Sequence, residues 1–259
     1  MDLGIAGRKA IVCASSRGLG RACALALAQA GCDVVVNGRD PAHVERTRTE
    51  IAELTGGRIV AVTADIATAD GQAALLAACP DPDILVNNNA GPPFRDFREL
   101  SRQQMLDGLT ANMVVAIELI QQVIDPMILR GFGRIVNITS GSVKMPLAGL
   151  DLSSGARAGL TGFLAGVARS VAGANVTINF LLPGAFDTDR LRSNMEANAK
   201  KKNISVEAAK AERLATIPAK RFGAPDEFGA ACAFLCSVQA GYITGQNLLL
   251  DGGAFPGAF

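Results

Sequence analysis

The stretch Lys9-Ala10-Ile11-Val12-Cys13-Ala14-Ser15-Ser16-Arg17-Gly18-Leu19-Gly20-Arg21 decides the fold of this chain. Lys9 to Ala14 is a short apolar, β-branched run of the kind found in buried strands. Arg21 to Gln29 is an Ala/Leu helix that stops at Gly31. Between them, Gly18 and Gly20 would let the backbone approach a pyrophosphate at the helix N-terminus, where free N–H groups and the helix dipole favour anions. Alone, such a turn is also compatible with a tight strand–helix connection.

Moving outward, the same rhythm repeats. Asp33–Val36, Arg58–Thr63, Asp83–Val86, Gly133–Ile138, Asn175–Leu181 and Gln246–Leu250 read as further strands. Pro41–Leu54, Asp70–Ala78, Ser154–Val171 and Asp226–Cys236 read as helices, and Arg102–Leu129 as one long helix region broken near Pro126. Continuous apolar strands alternating with helices predict an α/β fold, a doubly wound Rossmann-type parallel sheet with helices on both faces. The rhythm never changes composition, so residues 1–259 are expected to form a single dinucleotide-binding domain. Thr188 to Thr216 is polar and Lys-rich, and is expected to be a helical, more mobile insertion on the substrate side at about 188–216. In this fold class ligands bind beyond the C-terminal ends of the strands.

Composition narrows the function. An apolar fraction of 49% with 19% charged residues excludes a disordered chain. A formal charge of +1 lacks the basic excess of a nucleic-acid binder. The six cysteines lie in apolar runs without a CxxC pair, and the single histidine, His43, is far from all but the N-terminal ones, so no metal site is expected. With no signal peptide or charge-free apolar run of membrane length in view, the expectation is a reduced, soluble, cytoplasmic protein that engages neither membrane nor nucleic acid.

The second strand ends at Asn37-Gly38-Arg39, where an NAD site usually carries an acid for the ribose 2′-hydroxyl. An acid would repel a 2′-phosphate. Arg39, with Arg17 across the pocket, could instead clamp it through charge-assisted bonds, which points to NADP(H). Solvated surface arginines are the alternative.

Further motifs join these. They are Asp65 in TADIA, the cluster Asn87-Asn88-Asn89-Ala90-Gly91-Pro92-Pro93, Asn112, Gly133 to Ser140 (GRIVNITS), Pro183-Gly184 with Thr188, and GYITGQNLLLDGG at the C-terminus. Together they resemble the short-chain dehydrogenase/reductase family over nearly the whole chain, with the local flavour of bacterial 3-oxoacyl-carrier-protein reductases. The resemblance implies a cofactor site made of Ser15, Ser16, Arg17, Gly18, Leu19, Gly20, Asn37, Arg39, Asp65, Ile66, Asn88, Ala90, Gly91, Arg157, Pro183, Gly184 and Thr188. The register of the asparagine cluster stays open: the family's Asn-Asn pair falls on 88–89 by the turn and on 87–88 by the strand, and Asn88 belongs to the site either way.

The resemblance fails at the chemistry. Family members use an Asn-Ser-Tyr-Lys set, of which Asn112 and Ser140 match the first two. The tyrosine and lysine positions hold Ser153 and Arg157, and the chain's only tyrosine, Tyr242, lies near the C-terminus. An aliphatic hydroxyl has none of a phenol's acidity and needs a strong adjacent base, while a guanidinium stays charged and is a poor proton donor. Lys144, in the loop after Ser140, is a surrogate acid candidate, with Asp151 and Ser142 as auxiliaries. The expected catalytic set is therefore Ser140, Asn112, Ser153, Arg157 and Lys144.

Three readings follow. The leading one is an atypical NADP(H)-dependent oxidoreductase that reduces a carbonyl or oxidises the matching alcohol, of 3-oxoacyl type in the nearest resemblance. The others are a non-catalytic NADP(H)-binding regulatory or partner protein, and a different reaction on the same scaffold, such as imine reduction, dehydration or isomerisation. The expected partner is a small-molecule substrate, free or carrier-bound. Phe94, Phe97 and Phe186 are candidates for an apolar pocket, and Arg190, Arg192 and Lys200–Lys202 for a preference for acidic groups. Apolar helices beyond what one sheet face needs, together with the family's habit, imply a homotetramer or homodimer.

Overall fold

The computed structural model describes residues 2–257. Seven strands form one parallel sheet: β1 (Lys9–Val12), β2 (Asp33–Gly38), β3 (Ile59–Thr63), β4 (Ile84–Asn87), β5 (Gly133–Ile138), β6 (Val176–Pro183) and β7 (Asn247–Leu250). Their order is β3-β2-β1-β4-β5-β6-β7. The winding reverses between β1 and β4, which opens a crevice beyond the carboxyl ends of those two strands. The turns that leave them are the glycine-rich segment and the asparagine cluster.

Because successive residues of a strand face opposite sides, β1 feeds two cores. Ala10 and Val12 pack with helices α1 (Gly18–Gln29), α2 (Pro41–Thr55) and α9 (Pro225–Cys236). Ile11 and Cys13 pack with α3 (Ala69–Ala78), α5 (Val115–Arg130) and α6 (Asp151–Val171). The doubly wound expectation therefore holds, with helices on both faces. Local chemistry sets the helix starts. Asp40 caps α2 through the His43 N–H with Pro41 in first place, and Ser101 and Gln104 form a reciprocal capping box on α4 (Arg102–Leu109).

Three expectations change. The long helix is interrupted at Thr110–Val114, which adopts a π-turn, and not at Pro126, which lies within α5. Burial of Val123 and Met127 on either side holds Pro126 in the helix despite its missing N–H. The last large helix, α6, starts three residues before the expected Ser154, at Asp151, so Ser153 and Arg157 share one face a turn apart. The segment after Thr188 forms two helices, α7 (Asp189–Lys202) and α8 (Val206–Ala215), capped by Thr188 and Ser205 and anchored by buried Met195, Ala199 and Ala209.

The 29 residues from Arg102 to Arg130 are long and apolar enough to cross a membrane by length and composition. In the fold Val115, Leu119, Ile120 and Val123 line the core instead, leaving Met105, Leu106, Leu109 and Val114 exposed on the outer side.

All six cysteines are buried free thiols, and burial pushes Cys13 and Cys32 up to about 12 and Cys79 up to about 11. A thiol disulfide reagent is therefore expected to label none of them in the native protein within minutes and all six after unfolding in denaturant. Rapid native labelling would show that a core segment opens far more readily than this packing allows.

Candidate active site

The crevice is built from four turns. In the first, Ser15 is a brace: its hydroxyl donates to the Val12 carbonyl at 2.6 Å and accepts from the Asn37 N–H at 2.9 Å. Asn37 completes the brace. Its Oδ1 accepts from the Ala14 N–H, and its Nδ2 donates to the Val62 and Ala64 carbonyls, both at 3.1 Å. Both residues, expected against a nucleotide, have side chains turned inward to shape the turn. Ser16 offers its carbonyl to the Thr47 hydroxyl, and Leu19 packs against the core.

What this turn leaves open suits a pyrophosphate. No side chain caps α1 and no acid occupies its first turn, so its leading N–H groups are free and their field is uncancelled. A Cβ on Gly20 would stand 2.5 Å from the Ala14 carbonyl oxygen and 2.8 Å from Asn88 Nδ2, so glycine is required there. Thr188 caps α7 through the Leu191 N–H at 3.3 Å and brings its methyl group over Gly18, while Pro183 and Gly184 lead into that loop from β6.

On the adenosine side, Arg17 and Arg39 are exposed, and Ile66 is buried beside Asp65. Arg39 Nη1 lies 3.8 Å from Asp65 Oδ2, which holds the guanidinium at the end of β2.

The asparagines divide the work. Asn87 ends β4 and donates to Asn137 Oδ1 at 3.0 Å; Asn88 braces the first turn through the Ala14 carbonyl at 3.1 Å. Asn89 shapes the exit, donating to the Ala111 carbonyl and accepting from the Ala90 N–H. The π-turn presents Asn112, whose Nδ2 donates to the Gly108 carbonyl. Asn87 Oδ1 and Asn112 Oδ1 are buried without a hydrogen-bond partner, and both residues line a cavity of about 20 Å³ together with Arg157. That volume and those acceptors suit one water molecule.

The reaction side centres on the end of β5. Ser140 is half-buried, and its oxygen accepts from the Ser142 N–H at 3.1 Å. Arg157 donates through Nη1 to the Ile138 and Thr139 carbonyls, both at 2.9 Å, and through Nε to Ser153 Oγ at 3.3 Å. Burial, reinforced by the positive charge of Arg190, pulls Arg157 down to about 10, so it remains a cation at neutral pH. The expected Ser153/Asp151/Lys144 grouping does not assemble. Ser153 is bonded to Arg157, Asp151 is exposed and accepts from the Gly149 N–H, and the Lys144 ammonium lies 5.8 Å from the Phe255 ring centre. Phe186 also departs from expectation. It packs edge-to-face on Phe228 in the core and lines no pocket, whereas Phe94 and Phe97 are exposed.

Arg190 was not expected at the centre of the site. Its Nη2 donates to the Gly91 carbonyl at 3.3 Å, on the rim of the asparagine turn. The only sequence signal for it was its neighbourhood, since Asp187 and Asp189 flank it and a near cation, Arg192, competes for both.

Comparisons with known proteins agree with this geometry. A protein-family profile described as enoyl-(acyl carrier protein) reductase matches residues 13–254. The chain is 32% identical over 252 residues to the NADPH-dependent reductase BacG of Bacillus subtilis, covering 95% of this chain and 97% of that protein. It is 30% identical over 257 residues to the 3-oxoacyl-[acyl-carrier-protein] reductase FabG of Vibrio cholerae, covering 98% and 99%. Among solved structures, YwfH, an NADPH-dependent reductase involved in bacilysin biosynthesis, superposes with a TM-score of 0.92 at 30% identity, covering 97% of this chain and 100% of that one.

Proposed function

The chain belongs to the short-chain dehydrogenase/reductase family, and on that premise we propose that it is an NADP(H)-dependent oxidoreductase interconverting a carbonyl and an alcohol with an altered catalytic set. The observation that carries this reading is the uncapped, acid-free start of α1 beside the Gly20 approach, which opens onto the same crevice as Asn112 and Arg157. That cradle fits a dinucleotide. Arg17, Gly18, Leu19 and Gly20 would hold its pyrophosphate, Arg39 its 2′-phosphate, and Asp65 with Ile66 its adenine side.

Bound there, the nicotinamide supplies or accepts the hydride. The chain's residues do the rest. The Ser140 hydroxyl donates to the substrate carbonyl oxygen and withdraws charge from its carbon. Arg157, fixed by two strand carbonyls, adds a positive charge near the developing oxyanion. With no phenol present, the proton reaches that oxygen through water held by Asn112 and Asn87. Lys144, directed at Phe255, has no geometric claim on the step. A second reading, imine reduction, is favoured by one feature: the Ser153 hydroxyl faces a cation and no base, and an imine nitrogen brings its own basicity. The exposed faces of Leu109 and Val114 on one side and of Phe163 on α6 fit assembly of a cytoplasmic homodimer or homotetramer.

Equilibrium titration with NADPH and with NADH at equal salt tests the proposal. The expected result is micromolar NADPH binding, with NADH weaker by at least about tenfold, or about 1.4 kcal/mol. Arg39→Ala should narrow that ratio to about twofold. Binding of neither nucleotide would overturn the oxidoreductase reading.

A further inference from the structure

We propose that Arg157 and Arg190 together form a carboxylate-binding site, so that the substrate is an oxo acid or hydroxy acid rather than a neutral ketone or ester. The inference deepens the oxidoreductase reading and rests on it for the reaction, though not for the binding.

The argument begins with how this protein treats a buried guanidinium that is purely structural. Arg134 is 1% exposed, and each of its nitrogens is used. Nε donates to the Ser237 carbonyl, Nη1 to the Gly133 and Asn175 carbonyls, and Nη2 to Asn175 Oδ1. Arg157 is 8% exposed and is treated differently. Its Nε and Nη1 are bonded, but Nη2 has no hydrogen-bond partner among the described residues.

A second guanidinium approaches that free amino group. Arg157 Nη2 and Arg190 Nη2 lie 3.3 Å and 3.2 Å from the place where a Cβ on Gly91 would stand. Two cations thus converge on one spot, and only glycine leaves that spot open. No acid neutralises them. Asp187 and Asp189, beside Arg190 in sequence, both bond Arg192 at 2.5 Å. Asp151 accepts from the Gly149 N–H, and Asp251 from the Gly253 and Phe255 N–H groups. Lys144, after β5, adds a further cation without an ion pair among the described residues.

Like charges in a partly dry crevice repel, and an anion between them relieves both the repulsion and the unsatisfied Nη2. Two planar forks match the two oxygens of a carboxylate. Phosphate shares that chemistry, and a bound dinucleotide would also bring phosphates. Those groups have their own cradle at the start of α1, whereas the arginine pair lies by Gly91 and is anchored on Ile138 and Thr139, directly before Ser140. The anion therefore sits beside the hydroxyl that polarises the carbonyl, as a carboxylate close to the reacting carbon would.

The test is calorimetric binding of short-chain 2-oxo and 3-oxo acids, each paired with its methyl ester, to the full chain with and without NADP+. At least one acid is expected to bind about tenfold or more tightly than its ester, a preference that weakens with salt. Arg190 is exposed, so Arg190→Gln spares the fold. It should reduce the acid-to-ester ratio to about twofold while NADPH affinity stays within about twofold, and Arg190→Lys should fall between. Equal binding of acid and ester, or binding of neither, overturns the proposal. So does an Arg190→Gln variant that loses NADPH affinity with the acid-to-ester ratio intact, which would assign the pair to the cofactor's phosphates. If NADPH fails to bind while the acid preference persists, the redox reading falls and the carboxylate site stands.

Discussion

Gly20→Val is expected to weaken NADPH binding by about a hundredfold or more and to lower stability by about 2 kcal/mol. The first new carbon alone would meet the Ala14 carbonyl oxygen at 2.5 Å, Asn88 Nδ2 at 2.8 Å and Ser15 Cα at 3.0 Å. Two of these are backbone atoms, and the backbone there cannot yield. Ala14 already sits at a φ of 44°, and Asn37 ties the turn to β3 and its exit through three hydrogen bonds. Pushing Asn88 aside would also break its donation to the Ala14 carbonyl. A fluorescence titration with NADPH, run beside a thermal melt, separates the two effects. Wild-type affinity in a folded Gly20→Val variant would mean that the nucleotide does not lie over this turn.

Ser140→Ala is expected to cut carbonyl turnover by about 10²- to 10³-fold with NADPH affinity within about twofold of wild type. The hydroxyl is the one neutral donor at the end of β5 that can turn toward a substrate, because its oxygen only accepts from the Ser142 N–H and its own proton is uncommitted. Loss of that capping acceptor should also lower stability, by about 1 kcal/mol. Ser140→Thr keeps the hydroxyl and should keep most of the turnover. Steady-state kinetics on a substrate found by screening with the wild type decides the matter. Undiminished turnover in Ser140→Ala would remove Ser140 from the chemistry. A wild type that binds NADPH and turns nothing over would favour the regulatory reading instead.

The fold was legible because strand and helix periodicities alternate without interruption, and because glycine, proline and capping residues punctuate them at Gly31, Pro41 and Gly56. Much of the candidate cofactor site was legible for the same reason, since glycine spacing reports backbone geometry directly. Side-chain direction was not. Asn37 and Ser15 stand where a ligand would be, yet hydrogen bonds to neighbouring strands turn them inward. Phe186 has the look of a pocket wall, and only the tertiary packing of α9 shows that Phe228 claims it. The break near Pro126 was misplaced because a proline flanked by well-packed residues costs a helix less than sequence suggests. The true interruption carries no breaker residue at all. The convergence of Arg157 and Arg190 depends on two segments more than thirty residues apart, and no local pattern encodes it.

The π-turn at Thr110–Val114 sits in an otherwise regular helix, and in effect it holds one residue more than the α-helical path requires. One residue corresponds to about 100° of rotation and about 1.5 Å of rise. The exposed side chains of Met105, Leu106 and Leu109 and the buried stripe of Val115, Leu119 and Val123 are therefore set at an angle fixed by that single extra residue. Asn112 stands at the joint. Deleting one residue between Thr110 and Val114 would act as a quarter-turn key, swinging the outer face of α4 away from any neighbouring subunit while withdrawing Asn112 from its cavity. Subunit contact and proton path would then be lost together, although they share no atoms.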